Sequence, residues 1–357
     1  MINFDDLTFN RAAAHQILEK VEGLETATIL ESDSMLQLNN KVIETMKERL
    51  KKAASQNSKS FELEVEDTLE SSFYGITKRM KNSGDDDFLS KSADIARILA
   101  EAQKSSNIPG GWLIVVEATT PIGSYVYIAL KAEMHEALRF ESSNIEYLND
   151  VFLSPTQKLY KAGIIYERNS EELEYPHSHY GCMLLDNQFR IDSKPAEYFY
   201  KDFLGFSVEN NPKIQSKRFY EATENFIMNS IDSLDQKNTM LDALHAEFQI
   251  ESEEETLEID PLIFVSQNFE DTDVLNSYAA DVANYLPQSI SPDDTLIRGK
   301  LDWRKINFPN KVKITGPVKT FDLDIQIVDS LNELQSLDFQ HPNFTIVKIL
   351  GRPFQNM

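Results

Sequence analysis

A run of cations interleaved with aromatic residues near the C-terminus is the part of this sequence best suited to bind phosphate groups. Residues 298–319 hold seven cations against one acid, Asp302, in a chain whose formal net charge is −23. Cationic side chains bind the phosphates of nucleic acids, and Trp303 and Phe308 could stack on bases. The segment therefore predicts nucleic-acid contact, although a charged face that balances acids elsewhere would have the same composition. The cations are Arg298, Lys300, Arg304, Lys305, Lys311, Lys313 and Lys319.

An acidic region precedes this cationic run and supports a different hypothesis. Residues 232–260 contain ten acids and a single lysine, Lys237. Carboxylates at phosphate-like spacing can mimic DNA. The chain could therefore instead be an acidic adaptor or inhibitor that binds a DNA-processing or defence-complex protein. Because the whole chain is anionic, its mean field repels DNA, and any DNA contact requires a local basic patch.

One group of residues could bind zinc. His177 and His179 would share one side of a strand, and Cys182 follows them with a thiol. A closed structural zinc site requires four ligands, and a fourth is not evident in the sequence. We therefore interpret the two histidines as part of a polar loop before a strand, and predict no metal site.

A second pattern resembles a nuclease only loosely. Nucleases that bind magnesium have an aspartate followed by an acid-x-lysine triplet. Asp293 and the triplet 302–304, Asp-Trp-Arg, match this pattern only in part, because arginine replaces the lysine. The motifs GxxxxGK[ST], GxGxxG and GxSxG are missing from the sequence. We predict a non-enzymatic protein without catalytic residues or cofactors, and keep a metal-dependent nuclease as a minor alternative.

Three features of the composition predict a soluble cytoplasmic protein. The single cysteine, Cys182, excludes an intrachain disulfide and fits a reducing compartment. The acidic start MINFDDLTFNR lacks the apolar region of a signal peptide. The most apolar window, Gly111 to Leu130, is interrupted by Glu117, Pro121 and Gly123, so no membrane partner is expected.

The elements that must position the candidate residues predict an α+β fold. Met35 to Lys52 has apolar residues at spacings of four, typical of an amphipathic helix whose other face is basic. Because the strands come in runs rather than in alternation with helices, we expect a mixed, mainly antiparallel sheet in the N-terminal part. Strands are predicted at the start of His15–Leu30, and at Phe61–Val65, Trp112–Val116, Tyr125–Leu130, Lys161–Tyr166 and Gly181–Leu185.

The C-terminal half predicts helices followed by a small β-rich part. Helices are expected at Phe199–Phe206, Ser216–Ala246 and near Asp273–Tyr285. Strands are expected at Lys311–Thr315, Phe321–Val328 and Phe344–Leu350. We predict two domains, residues 1–195 and 196–357, with the boundary somewhere in 190–215.

The aromatic segment Ala196 to Phe226 joins the two predicted domains. Its aromatic residues follow helical spacing, which indicates core packing rather than a ligand site. Gly205 is expected to end the first helix, and Asn210-Asn211-Pro212 turns the chain into the next. Cations at and just after this turn add candidate contacts for nucleic acid: Lys213, Lys217 and Arg218.

This segment also carries a resemblance to a known family. AEYFYKDFLGF (Ala196–Phe206), SKRFYEATENFI (Ser216–Ile227) and the upstream LSPTQKLYKAGII (Leu153–Ile165) are similar to the bacterial nucleoid-associated proteins of the NdpA/YejK type. The resemblance implies association with the nucleoid in the cytoplasm and nucleic-acid binding, with no catalytic residues to transfer. We therefore expect double-stranded DNA as partner, keep a DNA-processing protein as the alternative partner, and leave a homo-oligomer open.

Overall fold

The computed structural model of the chain forms two compact units, Met1–Asn211 and Pro212–Met357. It describes residues 2–133, 135–141, 144–151, 161–168, 179–187, 189, 197–231, 234–248, 258–269, 271–307 and 313–317. The division into residues 1–195 and 196–357, with its boundary somewhere in 190–215, stays a prediction.

An eight-stranded sheet forms the frame of the first unit. Its strand order is β10-β3-β9-β8-β5-β4-β1-β2, and every neighbouring pair is antiparallel. This confirms the predicted α+β class with a mainly antiparallel sheet. The strands are β1 (Thr8–Ile17), β2 (Ile29–Leu30), β3 (Ser60–Val65), β4 (Gly111–Thr119), β5 (Tyr125–Ala132), β8 (Lys161–Glu167), β9 (Tyr180–Asp186) and β10 (Phe206–Ser207), while β6 (His135–Glu141) and β7 (Asn144–Val151) form a separate antiparallel hairpin.

Among the described residues, the first unit also contains three α-helices and two short helical segments. The helix α1 begins where the Asn39 side chain accepts a hydrogen bond from the backbone N–H of Val42, and α2 begins where Ser72 does the same for Gly75. Such caps satisfy donors that the first helical turn leaves unpaired. The bounds are α1 (Asn40–Ala54), α2 (Phe73–Met80), α3 (Asp85–Ala102), a 3₁₀ turn (Phe4–Asp6) and a π-helix (Tyr198–Phe203).

Helices cover both faces of this sheet. Met46 and Leu50 of α1 pack into a core with alternate residues of five strands, such as Ile128 and Met183. On the other face His15 of β1 bonds to Ser92 of α3, with 2.8 Å between Nε2 and Oγ. Since both faces of the sheet are covered, the central strands carry apolar side chains on both sides. Successive side chains of a strand point to opposite faces, so these strands appear in the sequence as continuous hydrophobic runs.

The first half of the aromatic segment lies in this unit and is buried. Phe199 and Phe203 of the π-helix are at most 1% exposed, which confirms the interpretation of this half as core. Gly205 has a φ of +65° and follows the helix, as predicted. A Cβ at this position would lie 2.7 Å from the Cβ of Asp67, so only glycine fits the turn that brings Phe206 into register with Val65.

The second unit is a cluster of helices followed by a hairpin. The predicted helix Ser216–Ala246 is in fact two helices, α4 and α5, and the strand predicted at Lys311–Thr315 is Lys313–Pro317. The strands predicted at Phe321–Val328 and Phe344–Leu350 lie outside the described residues. The bounds are α4 (Pro212–Ser230), α5 (Leu234–Ala246), α6 (Pro261–Asn268), α7 (Thr272–Asp281), a 3₁₀ turn (Ala283–Tyr285), α8 (Arg298–Leu301), β11 (Trp303–Asn307) and β12 (Lys313–Pro317).

Aromatic residues of α4 hold this second unit together. Phe219 packs edge-on against Phe264, with 5.6 Å between ring centroids, and Phe226 against Tyr278 at 5.1 Å. The Tyr278 hydroxyl lies 2.7 Å from Oγ1 of Thr223 inside the core. Across the ranges described above, none of the helices has the length and apolar character needed to cross a membrane.

Candidate nucleic-acid interface

The helix α4 positions three of the predicted contact residues. Its buried residues, such as Phe219 and Thr223, recur at helical spacing and turn one side of the helix into the core. Lys213, Lys217 and Arg218 are half-buried at the border of that side. Lys217 Nζ lies 3.8 Å from a carboxylate oxygen of Glu221, one turn further along α4. These cations therefore belong to a mixed-charge helix face.

The short helix α8 brings the first cations of the run 298–319 against α4. Ile297 and Leu301 are buried in the core of the second unit and anchor α8. Lys300 then reaches Glu224 at 2.7 Å and Glu221 at 3.5 Å. Its Nζ also lies 5.3 Å from the ring centroid of Tyr220, a cation–π distance. The two sequence-predicted groups of cations thus meet here, with acids between them.

Tyr220 lies beneath this charged cluster. Its hydroxyl is 2.8 Å from Nε2 of His245, and its ring stacks on the imidazole with 5.8 Å between centroids. Burial raises the pKa of the Tyr220 hydroxyl, and the carboxylates of Glu224 and Glu221 raise it further. The phenol therefore stays neutral at physiological pH and supports the cluster through its ring and its hydrogen bond.

Arg298 is likewise paired. Its Nε and Nη2 atoms bond to the two carboxylate oxygens of Asp294, at 2.9 and 2.6 Å. This bidentate geometry is the strong form of an arginine–carboxylate pair, although the site is exposed to solvent. Arg298, Lys300 and Lys217 each have an acid partner, so little of their charge is left to attract phosphates.

The hairpin of β11 and β12 carries the central part of the basic run. Of Arg304, Lys305 and Lys313 the structure describes the backbone, whereas Lys311 and Lys319 lie outside the described residues. The register pairs Arg304 with Gly316, Lys305 with Thr315 and Asn307 with Lys313. Alternation along the strands places positions 303, 305 and 313 on one face of the ribbon. Trp303, at the start of β11, is 47% exposed.

The residues considered for nuclease chemistry are held by local turns. The Asp293 side chain accepts a hydrogen bond from the backbone N–H of Thr295, at 2.9 Å, and Asp302 follows α8 as an exposed cap. Asp293 also lines an open cleft of about 310 Å³ with Glu247, and burial raises the pKa of that glutamate. Within the part of the chain that the structure describes, no group of three histidine, cysteine or acidic side chains could hold a metal ion.

The candidate zinc residues are only partly covered. His177 lies outside the described residues, and His179 is exposed beside β9. Cys182 is 1% exposed, and burial raises the pKa of its thiol to about 12. A thiol that resists ionisation is a poor metal ligand and a poor nucleophile.

The acidic region is divided by the structure. Residues 234–248 belong mostly to α5, residues 258–260 precede α6, and residues 249–257 lie outside the described residues. Asp260 acts as a helix cap, since its side chain accepts hydrogen bonds from the backbone N–H groups of Leu262 and Ile263. The acids that pair with the first two cations of the basic run, Arg298 and Lys300, are instead Glu221, Glu224 and Asp294. The spacing of Lys217 and Glu221 by four residues was the signal in the sequence.

Fold and site together define a two-unit α+β protein with a basic hairpin in an otherwise anionic second unit. A family model described as nucleoid-associated protein YejK matches residues 14–310, which include parts of both units. The chain therefore belongs to the family of the nucleoid-associated protein YejK.

Curated relatives agree with this family. The proteins named nucleoid-associated protein YejK from Escherichia coli (strain K12 / DH10B) and from Shigella boydii serotype 18 are each 24% identical to this chain over 235 residues. Each match covers 65% of this chain and 65% of the relative. The chain thus spans about two thirds of the length of the relatives that it matches.

Proposed function

We propose that this protein is a non-enzymatic, nucleoid-associated protein of the bacterial cytoplasm that binds the phosphate backbone of double-stranded DNA. Membership of the YejK family carries this proposal, because the relatives are named for association with the nucleoid. DNA attracts cationic side chains through its phosphates, whatever the sequence of its bases. The protein therefore needs a local basic surface on an anionic chain.

The hairpin of β11 and β12 is the surface that supports the proposal best. Arg304, Lys305 and Lys313 lie on a two-stranded ribbon that also presents Trp303, and Lys311 belongs to the segment that joins the strands. A two-stranded ribbon fits the major groove of DNA, where cationic side chains can contact the phosphates on either side. Arg298, Lys300 and Lys217 support the interface only indirectly, because acids neutralise them.

A charge-reversal variant tests this surface. We expect R304E/K305E/K311E/K313E to abolish binding to a labelled DNA duplex and to flatten the dependence of log Kd on log salt concentration, because each lost phosphate contact removes about 0.9 from that slope. The matched control is K78E/R79E/K104E/K201E, which reverses four exposed cations of the first unit. Binding by the hairpin variant equal to that of the control contradicts the assignment of the hairpin.

The acidic-adaptor alternative makes a different prediction for the same protein. An adaptor retains its protein partner in a pull-down after nuclease treatment, and its affinity for duplex DNA does not depend on salt. A DNA-binding protein loses co-purified proteins when the DNA is digested. Magnesium-dependent cleavage that is lost in D293A or D302A would instead indicate the nuclease.

A further inference from the structure

The helix α1 of the first unit carries a row of cations on the side that faces away from the sheet. Met46, Leu50 and Ala53 bury the opposite side of the helix in the core. At 3.6 residues per turn, Lys41, Arg49 and Lys52 fall within one sector of about 80°. Thr45 lies in the same sector, so the row is polar from end to end, with Val42 exposed at its edge.

Of the two acids of α1, Glu44 lies in the neighbouring row together with two further lysines, whereas Glu48 lies between the two rows, about 20° around the helix from Lys41. Lys51 forms an ion pair with Asp5 of the N-terminal 3₁₀ turn. Lys47 donates a hydrogen bond to the backbone carbonyl of Asp5, at 3.2 Å, and lies 3.9 Å from Glu44. This flank of the helix is therefore neutralised locally, and the row of Lys41, Arg49 and Lys52 is not.

The first row keeps its charge in the folded protein. Among the described residues, neither Lys41, Arg49 nor Lys52 lies within ion-pair distance of a carboxylate. Lys41 and Lys52 are exposed, and Arg49 is half-buried. The helix as a whole carries five cations against two acids, a local net charge of +3 in a chain whose net charge is −23. A helix with this surplus of cations is complementary to a partner that supplies negative charge.

We propose that Lys41, Arg49 and Lys52 form a second contact surface for the phosphate backbone of double-stranded DNA. This inference rests on the proposed function and adds the first unit to the interface. Lys41 and Lys52 are eleven residues apart, which is about 16 Å along a helix. A single DNA strand presents about five phosphates over that length. The buried side of α1 is fixed against the core, so its cations can contact the DNA backbone without a change in the conformation of the helix.

The chemistry of the row favours DNA over an acidic protein. Specific protein–protein interfaces have an apolar centre, whereas protein–DNA interfaces are polar and strongly cationic. The row consists of two lysines, an arginine and a threonine. We therefore expect DNA to approach α1 on the side of Arg49, away from the carboxylate of Asp5.

The test is a pair of matched double reversals in the full chain. K41E/K52E reverses the two exposed lysines of the row, and Arg49 is left unchanged because it is half-buried. K78E/K201E is the control, because both lysines are exposed, lie in the first unit and belong to other elements. Binding to a labelled duplex is measured over a series of salt concentrations, with circular dichroism to confirm the fold.

We expect K41E/K52E to raise Kd at low salt by about tenfold or more and to reduce the salt slope by about 2, because two phosphate contacts are lost. The control should retain the slope of the unmodified protein. Equal slopes for K41E/K52E and K78E/K201E would overturn this inference. If the hairpin variant R304E/K305E/K311E/K313E still loses binding in that case, the proposed function stands without α1.

Three further outcomes are distinguishable. Absence of salt-dependent binding by the unmodified protein overturns both the proposed function and this inference. A K41E/K52E variant that keeps its DNA affinity but changes its sedimentation coefficient shows that the row binds another copy of the chain, which also overturns the inference. Loss of slope in K41E/K52E with no loss in the hairpin variant supports the row on α1 and removes the hairpin from the interface.

Discussion

The helix α1 in the first unit and the α4–α8 pair in the second unit are both rich in cations, but they differ in whether those cations form ion pairs. On α4 and α8, Lys217, Lys300 and Arg298 each contact a carboxylate within 4 Å. On α1, Lys41 and Lys52 are exposed, and among the described residues they have no such partner. Arg298 and Lys300, the first two cations of the run 298–319, are therefore less available to a ligand than Lys41 and Lys52.

This difference shows that available charge is decided by pairing in three dimensions. A window along residues 298–319 counts seven cations and one acid, yet the acids that pair with its first two cations come from outside that window, at positions 221, 224 and 294. On α1 the acids Glu44 and Glu48 are in the sequence window itself, yet neither lies within ion-pair distance of Lys41, Arg49 or Lys52. Counting net charge along the sequence therefore shows neither that Arg298 and Lys300 are ion-paired nor that Lys41 and Lys52 have no ion pair among the described residues.

Breaking a buried pair should give the largest effect. Lys161 Nζ lies 2.5 Å from Oδ2 of Asp186, and both side chains are at most 4% exposed. We expect D186N to destabilise the first unit by about 3–5 kcal/mol, because it leaves a buried ammonium without its carboxylate. The measurement is urea unfolding followed by circular dichroism.

The contrast with α1 is the control for this prediction. K41A/K52A removes two cations that have no ion pair among the described residues, and we expect the free energy of unfolding to change by no more than about 0.5 kcal/mol. If D186N were as mild as K41A/K52A, pairing would not distinguish the cations of this protein, and the comparison would fail.

A second buried lysine should give a pH-dependent effect. Lys131 is 2% exposed, and its Nζ donates to the carbonyl of Pro109, at 2.9 Å, and to the Tyr198 hydroxyl, at 3.2 Å. Its pKa is lowered from 10.5 to about 8, mainly by burial and also by the nearby charge of Lys161, while Glu133 and Asp186 partly oppose the decrease. The folded state therefore releases this proton at a lower pH than the unfolded state does.

The sign of the effect follows from proton linkage. Below pH 8 both states are protonated, and burial of the charge reduces stability by about 3 kcal/mol. Between pH 8 and 10.5 the unfolded chain holds more protons, so the contribution of Lys131 to stability rises with pH. We expect K131M to lack this rise. Unfolding free energies of the two proteins at intervals between pH 7 and 9.5 measure the difference, and parallel curves would contradict it.

The fold class could be read from the sequence because the central strands and α1 have regular patterns. Phe61, Leu63 and Val65 alternate with acids, and the observed strand β3 is Ser60–Val65. The strand β1 was less visible, since a strand was expected only from His15 onwards. Its start contains Arg11, whose guanidinium is bound by Glu117 of β4 at 3.1 and 2.9 Å, 106 residues away. A polar residue whose partner is that distant does not show as part of a core strand.

The site was harder to predict than the fold for the same reason. The spacing of Lys217 and Glu221 indicates a pair within one helix, but the contact of Lys300 with Glu224 spans 76 residues. Only the packing of Ile297 and Leu301 into the core brings α8 to α4. The basic face of α1 was visible as a pattern, yet its division into a paired and an unpaired row depends on the position of Asp5.

Releasing the paired cations of the second unit should have a moderate effect. E221Q/E224Q replaces the two carboxylates that contact Lys300 with uncharged amides of nearly the same size and shape. We expect the salt slope of DNA binding to increase by about 1–2, because Lys217 and Lys300 become available to phosphates. D273N/D281N on α7 is the control, with the same change in net charge. Equal changes in the two variants would show that net charge, rather than local pairing, governs the affinity.

The smallest expected effect comes from the flank of α1 that is already neutralised. D5N removes the carboxylate that pairs with Lys51, while the backbone carbonyl of Asp5 can still accept from Lys47. We expect the salt slope to increase by less than about 1, because Lys51 lies beside the row of Lys41, Arg49 and Lys52 rather than in it. D6N is the matched control, since its carboxylate accepts a hydrogen bond from Asn3 and has no ion pair among the described residues. An increase in salt slope for D5N as large as that for E221Q/E224Q would place the DNA on the Asp5 side of α1 and reverse the orientation that we infer. An equal increase for D6N and D5N would show that both result from the change in net charge.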